Sequence, residues 1–144
     1  MPFIEIQQQF PAAIEQVFTC LAVHDSYNIA FAPLQVQRVQ DAVTGTSPDG
    51  VGSVRCVGLG KIKALKEQIT VLQPNERIEY RIIDNSWVAH HLGVIRFERL
   101  TATQTLVTYR IELQMRVPLI SQLILAQLKT GIKLGLAKLA QTFS

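Results

Sequence analysis

The segment from Arg116 to Ser144 contains no Asp or Glu; the last acidic residue of the chain is Glu112. Beyond Pro118 it reads LISQLILAQLKTGIKLGLAKLAQTFS, apolar residues at helical spacing dotted with Lys129, Lys133 and Lys138. Nearly everything before it reads as β-strand. A helix this apolar is stable in water only when much of its surface is covered. The chain must therefore build a sheet for it to close over. Ser121, Gln122, Gln127 and the lysines interrupt the apolar run well short of the ~18 continuous residues of a membrane span.

A chain of 144 residues is read as one domain, 1–144, long enough to bury a core. With 48% hydrophobic and 17% charged residues it is globular rather than disordered. The net charge of +3 does not point to nucleic acid, because its Lys and Arg residues are scattered along strands and not clustered with aromatics. Cys20 and Cys56 lack metal-ligand spacing and are read as free thiols of a reducing cytoplasm. The start, MPFIEIQQQF, has no basic region followed by an apolar run, so a cytoplasmic location is expected.

The pattern along the chain predicts a strand over 3–9. A helix follows, with Pro11 in its first turn and Ile14, Val17, Phe18 and Leu21 on one face. A short helical piece over 25–31 stops before Pro33. A strand over 34–43 leads to the turn-rich loop 44–52. Strands are predicted over 53–58 and 61–73 around a turn at Gly58–Gly60. Two more, 77–84 and 90–100, flank a loop at Asn85, Ser86 and Trp87, and the last covers 105–117. The terminal helix follows Pro118. Consecutive strands with short turns make an antiparallel sheet of about seven strands, and helices gathered on one face give an α+β layer fold.

Alternation assigns the faces. Val107, Tyr109, Ile111, Leu113 and Met115 face the helix, as do Ile78, Tyr80 and Ile82, and His91, Gly93, Ile95 and Phe97. Leu92 and Val94 fall on the outer face, where they argue for a partner surface. Two inward residues break the apolar pattern. Arg55 and Glu67 should lie about opposite one another on neighbouring strands, and a buried carboxylate needs a partner. They are read either as a structural ion pair or as part of a site. Tyr80 and His91 should pair across the next hairpin; an inward His beside Tyr and near Glu suits either acid–base work or the lining of a wet cavity. His90 is read as a solvated surface residue and His24 as a local hydrogen-bonding residue. No nucleophile elbow, phosphate loop or dinucleotide fingerprint occurs. No metal site is expected, since His90 and His91 point to opposite faces, and no cofactor is called for. Gly131 and Gly135, four residues apart in a helix, suggest close approach of another element or of a bound molecule.

Over nearly the full length, the chain resembles the START-like (SRPBCC) superfamily of polyketide cyclase/dehydrase and lipid-transport proteins. The residues that carry the resemblance are FPAAIEQVFTCL, HDSYNIAFAP, DGVGSVRCV, KEQITVLQPNERIEYRI, HHLGVIRFERL and TLVTYRIEL. The family often has Trp where this chain has Phe31 and Tyr109. The resemblance implies a helix-grip fold, a curved sheet wrapped around the C-terminal helix with a largely apolar cavity between. It implies that Arg55, Glu67, Tyr80, His91 and Tyr109 project into that cavity. Phe97, Leu128, Gly131 and Ile132 complete the expected ligand-binding set. The expected function is binding or transport of a hydrophobic small molecule: lipid, polyketide-like or aromatic. The alternative is a cyclase or dehydratase in which His91 or Glu67 abstracts a proton. Contact with a membrane surface through the lysines and a homodimer both stay open as modes of partnership.

Overall fold

The computed structural model describes residues 1–31, 34–43, 47–59, 62–117 and 119–143, with the side chains of 59 and 62–64 excepted. Seven strands form one antiparallel sheet: β1 (Phe3–Phe10), β2 (Leu34–Gln40), β3 (Val54–Leu59), β4 (Ile62–Gln73), β5 (Arg77–Ile83), β6 (Val88–Thr101) and β7 (Gln104–Met115). Helices α1 (Ile14–Ala22) and α2 (Ser26–Ala30) follow β1, and α3 (Ile120–Gln141) ends the chain. The strand order is β1-β7-β6-β5-β4-β3-β2, so the strands joined through α1 and α2 are the two edges of the sheet. In a flat sheet those edges would lie roughly 29 Å apart, six spacings of about 4.8 Å. Two short helices bridge them because the sheet curves. The concave side receives α3, which packs on β1, β7 and α2.

The element order is as the sequence predicts, and the differences have local causes. Pro11 lies outside α1, whose N-cap is Ala13. β2 ends at Gln40 rather than at Val43. The expected helix stop at Pro33, the break at Pro118 before the terminal helix, and the turn at Gly60 lie outside the described residues. Ile14, Val17, Phe18 and Leu21 are buried, as their spacing requires. Leu92 and Val94 do not form an open apolar face. Val94 is buried, with Glu79 and Arg110 as its neighbours in register, and the stems of such side chains cover apolar surface well. Ser121, which interrupts the apolar run, is itself buried and accepts a hydrogen bond from the Met115 N–H (2.9 Å), joining α3 to the end of β7. Among the described residues no helix is long and apolar enough to cross a membrane.

The two helix glycines behave differently. A Cβ on Gly135 would collide with the Phe31 ring and the Ala30 carbonyl, so this glycine lets α2 approach α3. Gly131 is exposed and has nothing near its missing Cβ, which corrects its placement at a packed or ligand-lined surface. The reason is geometric: four residues advance a helix by 400°, so Gly131 sits about 40° further from the buried stripe than Gly135. Gly131→Ala should stabilise the protein by up to about 1 kcal/mol through helix propensity alone. Gly135→Ala should destabilise it despite the same gain. Urea unfolding of the two variants checks the opposite signs.

Candidate functional site

Arg55 on β3 and Glu67 on β4 are directly opposed in register, with Nε donating to Oε1 at 2.9 Å. Arg55 is 2% exposed. Its guanidinium carbon lies 4.5 Å from the centre of the Tyr27 ring and 4.8 Å from that of Tyr80, so the cation is held between two aromatic rings. Burial works against this charge, but the Glu67 carboxylate outweighs it and holds the guanidinium more firmly protonated than usual. Tyr27, from α2, donates its hydroxyl to the Leu21 carbonyl at 2.9 Å, which ties the ring over Arg55 to the end of α1.

Tyr80 takes its pose from a glycine. Gly93 lies opposite Tyr80 in register, and any Cβ there would collide with the hydroxyl end of the Tyr80 ring. With no side chain at 93, the ring crosses β6 and its hydroxyl meets that of Tyr109 on β7. Burial raises both hydroxyls above the usual range, so both stay protonated. His91 is a diagonal neighbour of Tyr80 rather than its direct opposite, with ring centres 5.4 Å apart. Its Nδ1 accepts the Ile82 N–H at 3.0 Å. The neutral ring therefore carries its proton on Nε2. Burial, with His90, Arg81 and Arg55 adding, lowers its pKa to about 4. At neutral pH His91 is a hydrogen-bond donor at Nε2, and a proton-abstracting role would require it to give up Ile82.

Arg55, Glu67, Tyr80, His91 and Tyr109 are thus brought together, and Tyr27 joins them. Phe97 is not part of the cluster. It sits six residues along β6 from His91, roughly 20 Å in an extended strand, and packs edge-on against Phe18 of α1 at 5.1 Å. Ile132 is buried on α3, Leu128 half-buried and Gly131 exposed. His90 is half-buried and meets Glu112 at 3.1 Å, so it is not merely solvated. His24 bonds both locally and at long range: its carbonyl accepts the Tyr27 N–H at 3.1 Å and its own N–H reaches Asp49 Oδ2 at 3.1 Å, while its buried ring nitrogens have no hydrogen-bond partner among the described residues. Two open clefts of about 410 and 730 Å3 lie elsewhere, one beside Arg77 and Arg96, the other along β2. Neither is lined by the cluster. Among the described residues no group of three or more His, Cys, Asp or Glu is placed to hold a metal ion.

This arrangement of sheet and helices has counterparts among solved structures. The chain superposes on the Zhui aromatase/cyclase from Streptomyces sp. R1128 with a TM-score of 0.77, at 16% identity, over 98% of this chain and 92% of that one. A START superfamily protein from Mycobacterium smegmatis gives 0.75 at 10% identity, over 98% and 96%. The chain has the helix-grip fold of START-like proteins. The Aha1 dimer from Colwellia psychrerythraea also matches, with a TM-score of 0.73 at 16% identity over 99% and 96%. No family model matches the chain, and no curated protein does. At these identities the likeness establishes the fold and not the activity.

Tyr27 and Gly93 also belong to the site, and the sequence pattern does not point to either as a site residue. Tyr27 lies in a five-residue helix with no periodicity to orient it. Gly93 offered a weak signal, since a glycine inside a strand marks a close approach.

Arg55→Met should cost about 3–5 kcal/mol by leaving Glu67 without its partner, and the double variant Arg55→Met/Glu67→Leu should recover much of that loss. A double-mutant cycle by urea unfolding measures it. The buried histidines predict a pH dependence as well. His24 is lowered to about 4, mainly by burial and then by Arg55, and His91 likewise by burial first. Between pH ~6.5 and ~4 the unfolded chain takes up protons that the folded one refuses, so stability falls as pH falls through that window and is fully present above it. His24→Asn/His91→Gln should flatten the slope there. An unchanged slope in denaturant titrations would show that these rings are not buried neutral.

Proposed function

We propose that the chain binds a largely apolar small molecule carrying an oxygen acceptor, such as a ketone or phenol, between α3 and the inner face of the sheet. One observation carries this reading: the polar groups there are buried among aromatic rings and are nearly all donors. Arg55 is a cation, His91 presents Nε2–H, and of the two hydroxyl hydrogens of Tyr80 and Tyr109 only one is used in their mutual bond. Such a set orients an acceptor oxygen while the surrounding rings and the apolar side of α3 take the hydrocarbon. Arg55, Tyr80 and Tyr109 are closed off in this conformation. Entry therefore proceeds by local opening of the first half of α3, where Ile124 and Leu128 are only half-buried.

The binding reading is preferred to a cyclase or dehydratase because the cluster lacks a free base. Glu67 is engaged by Arg55, and His91 Nδ1 is engaged by Ile82. What favours the enzymatic alternative is that the same donors would stabilise an enolate oxygen. The aromatase/cyclase likeness supports it at the level of fold.

The double variant Tyr80→Phe/Tyr109→Phe keeps both rings and removes the one hydroxyl hydrogen free for a ligand. It should weaken binding of 2-naphthol about fivefold, the worth of one hydrogen bond, and leave naphthalene unaffected. Fluorescence titration of both probes against both proteins measures this. Equal weakening for the two probes, or no binding of either, would count against the proposal.

A further inference from the structure

The outer side of α3 is apolar as well as the inner. Leu119, at the N-cap, is 79% exposed, Leu123 68% and Leu134 65%. Their spacing of 4 and 11 residues sets them in one stripe, close to a whole number of helical turns apart. Ala126 and Thr130, small and exposed, lie between. Trp87, 65% exposed, is tethered through its backbone to the segment that leads into α3. The Arg116 N–H donates to the Trp87 carbonyl at 2.9 Å, and Arg116 Nε to the Ser86 carbonyl at 2.7 Å. Lys129 and Lys133 flank the stripe, both exposed, and α3 carries no acidic residue. The acid nearest in sequence to Trp87, Asp84, lies 4.0 Å from Lys66.

We propose that this outer face of α3, with Trp87, docks on an anionic lipid bilayer. Charge selects the occupant. A second copy of α3 laid against the first would bring lysines together with no carboxylate to meet them. An anionic headgroup layer complements the lysines while the leucines enter the acyl boundary and Trp87 sits at the interface. The inference goes beyond the ligand reading and does not depend on what the interior binds.

The intact chain supplies its own probe, because Trp87 is its only tryptophan. With vesicles of phosphatidylcholine containing phosphatidylglycerol, the protein should float with the lipid and its tryptophan emission should shift to the blue. Pure phosphatidylcholine should bind it more weakly. Leu119→Ser/Leu123→Ser should lower partition at least about tenfold, with thermal unfolding lowered only slightly, by the helix propensity lost at 123, because both side chains are already largely in water. Lys129→Gln/Lys133→Gln should lower it on anionic vesicles by about tenfold or more and leave neutral ones unaffected. The proposal is overturned if the protein stays in the aqueous fraction with unshifted emission. It is overturned equally if the leucine variant changes only the sedimentation of the free protein, which would make the face a self-association surface.

Discussion

A guanidinium withdrawn from water governs the interior of this protein. Arg55 is buried on a strand near one edge of the sheet, where its desolvation is tolerable only if a carboxylate and polarisable surfaces surround it. Glu67 supplies the first, and the rings of Tyr27 and Tyr80 the second. Each obligation propagates. Tyr27 must sit on a helix close enough to the sheet to cover Arg55, and its hydroxyl ties that helix to the end of α1. Tyr80 must lie across β6, which only a glycine at 93 allows, and doing so brings it to Tyr109. The cluster thus links β3, β4, β5, β6, β7 and α2.

The same constraint limits the chemistry. A set of groups held together by mutual hydrogen bonds has few lone pairs left to take up a proton. With His91 Nδ1 accepting from the Ile82 amide and Glu67 from Arg55, the residues that look like acid–base machinery in the sequence have these acceptors occupied in the fold. The stability of the protein and the polarity of its interior therefore rest on the same few residues, and variants that probe one must be checked for the other.

Much of this was legible in the chain. Hydrophobic alternation is clean in β7 and over Ile78–Tyr80 of β5, because one face of each is core, and although β6 breaks it at Leu92 and Val94, it placed Ile78, Ile95, Val107, Tyr109 and Leu113 correctly inside. Only two residues separate the end of β3 from the start of β4, so the opposition of Arg55 and Glu67 followed from counting residues. The pairing of Tyr80 with His91 was off by one step of the ladder. The loop between β5 and β6 does not announce its own register, and Gly93 stands where His91 was expected. Phe97 shares the inward face of His91, but a face gives direction and not depth, and six residues of strand carry it to α1 instead.

What the sequence determined by itself is periodicity: which segments are strands, which side of each is apolar, and that an acid-free helix must close over the sheet. These follow from local geometry and from the cost of leaving apolar surface in water. Only the tertiary structure decided which residues meet. The spacing of Gly131 and Gly135 is the same whichever way the helix faces, and the rotation that presses Gly135 on Phe31 leaves Gly131 in the open. That rotation also turns Leu119, Leu123 and Leu134 outward. A helix apolar on all sides does not choose which side to bury. The curved sheet chose it, because β1, β7 and α2 define the one trough into which the helix fits.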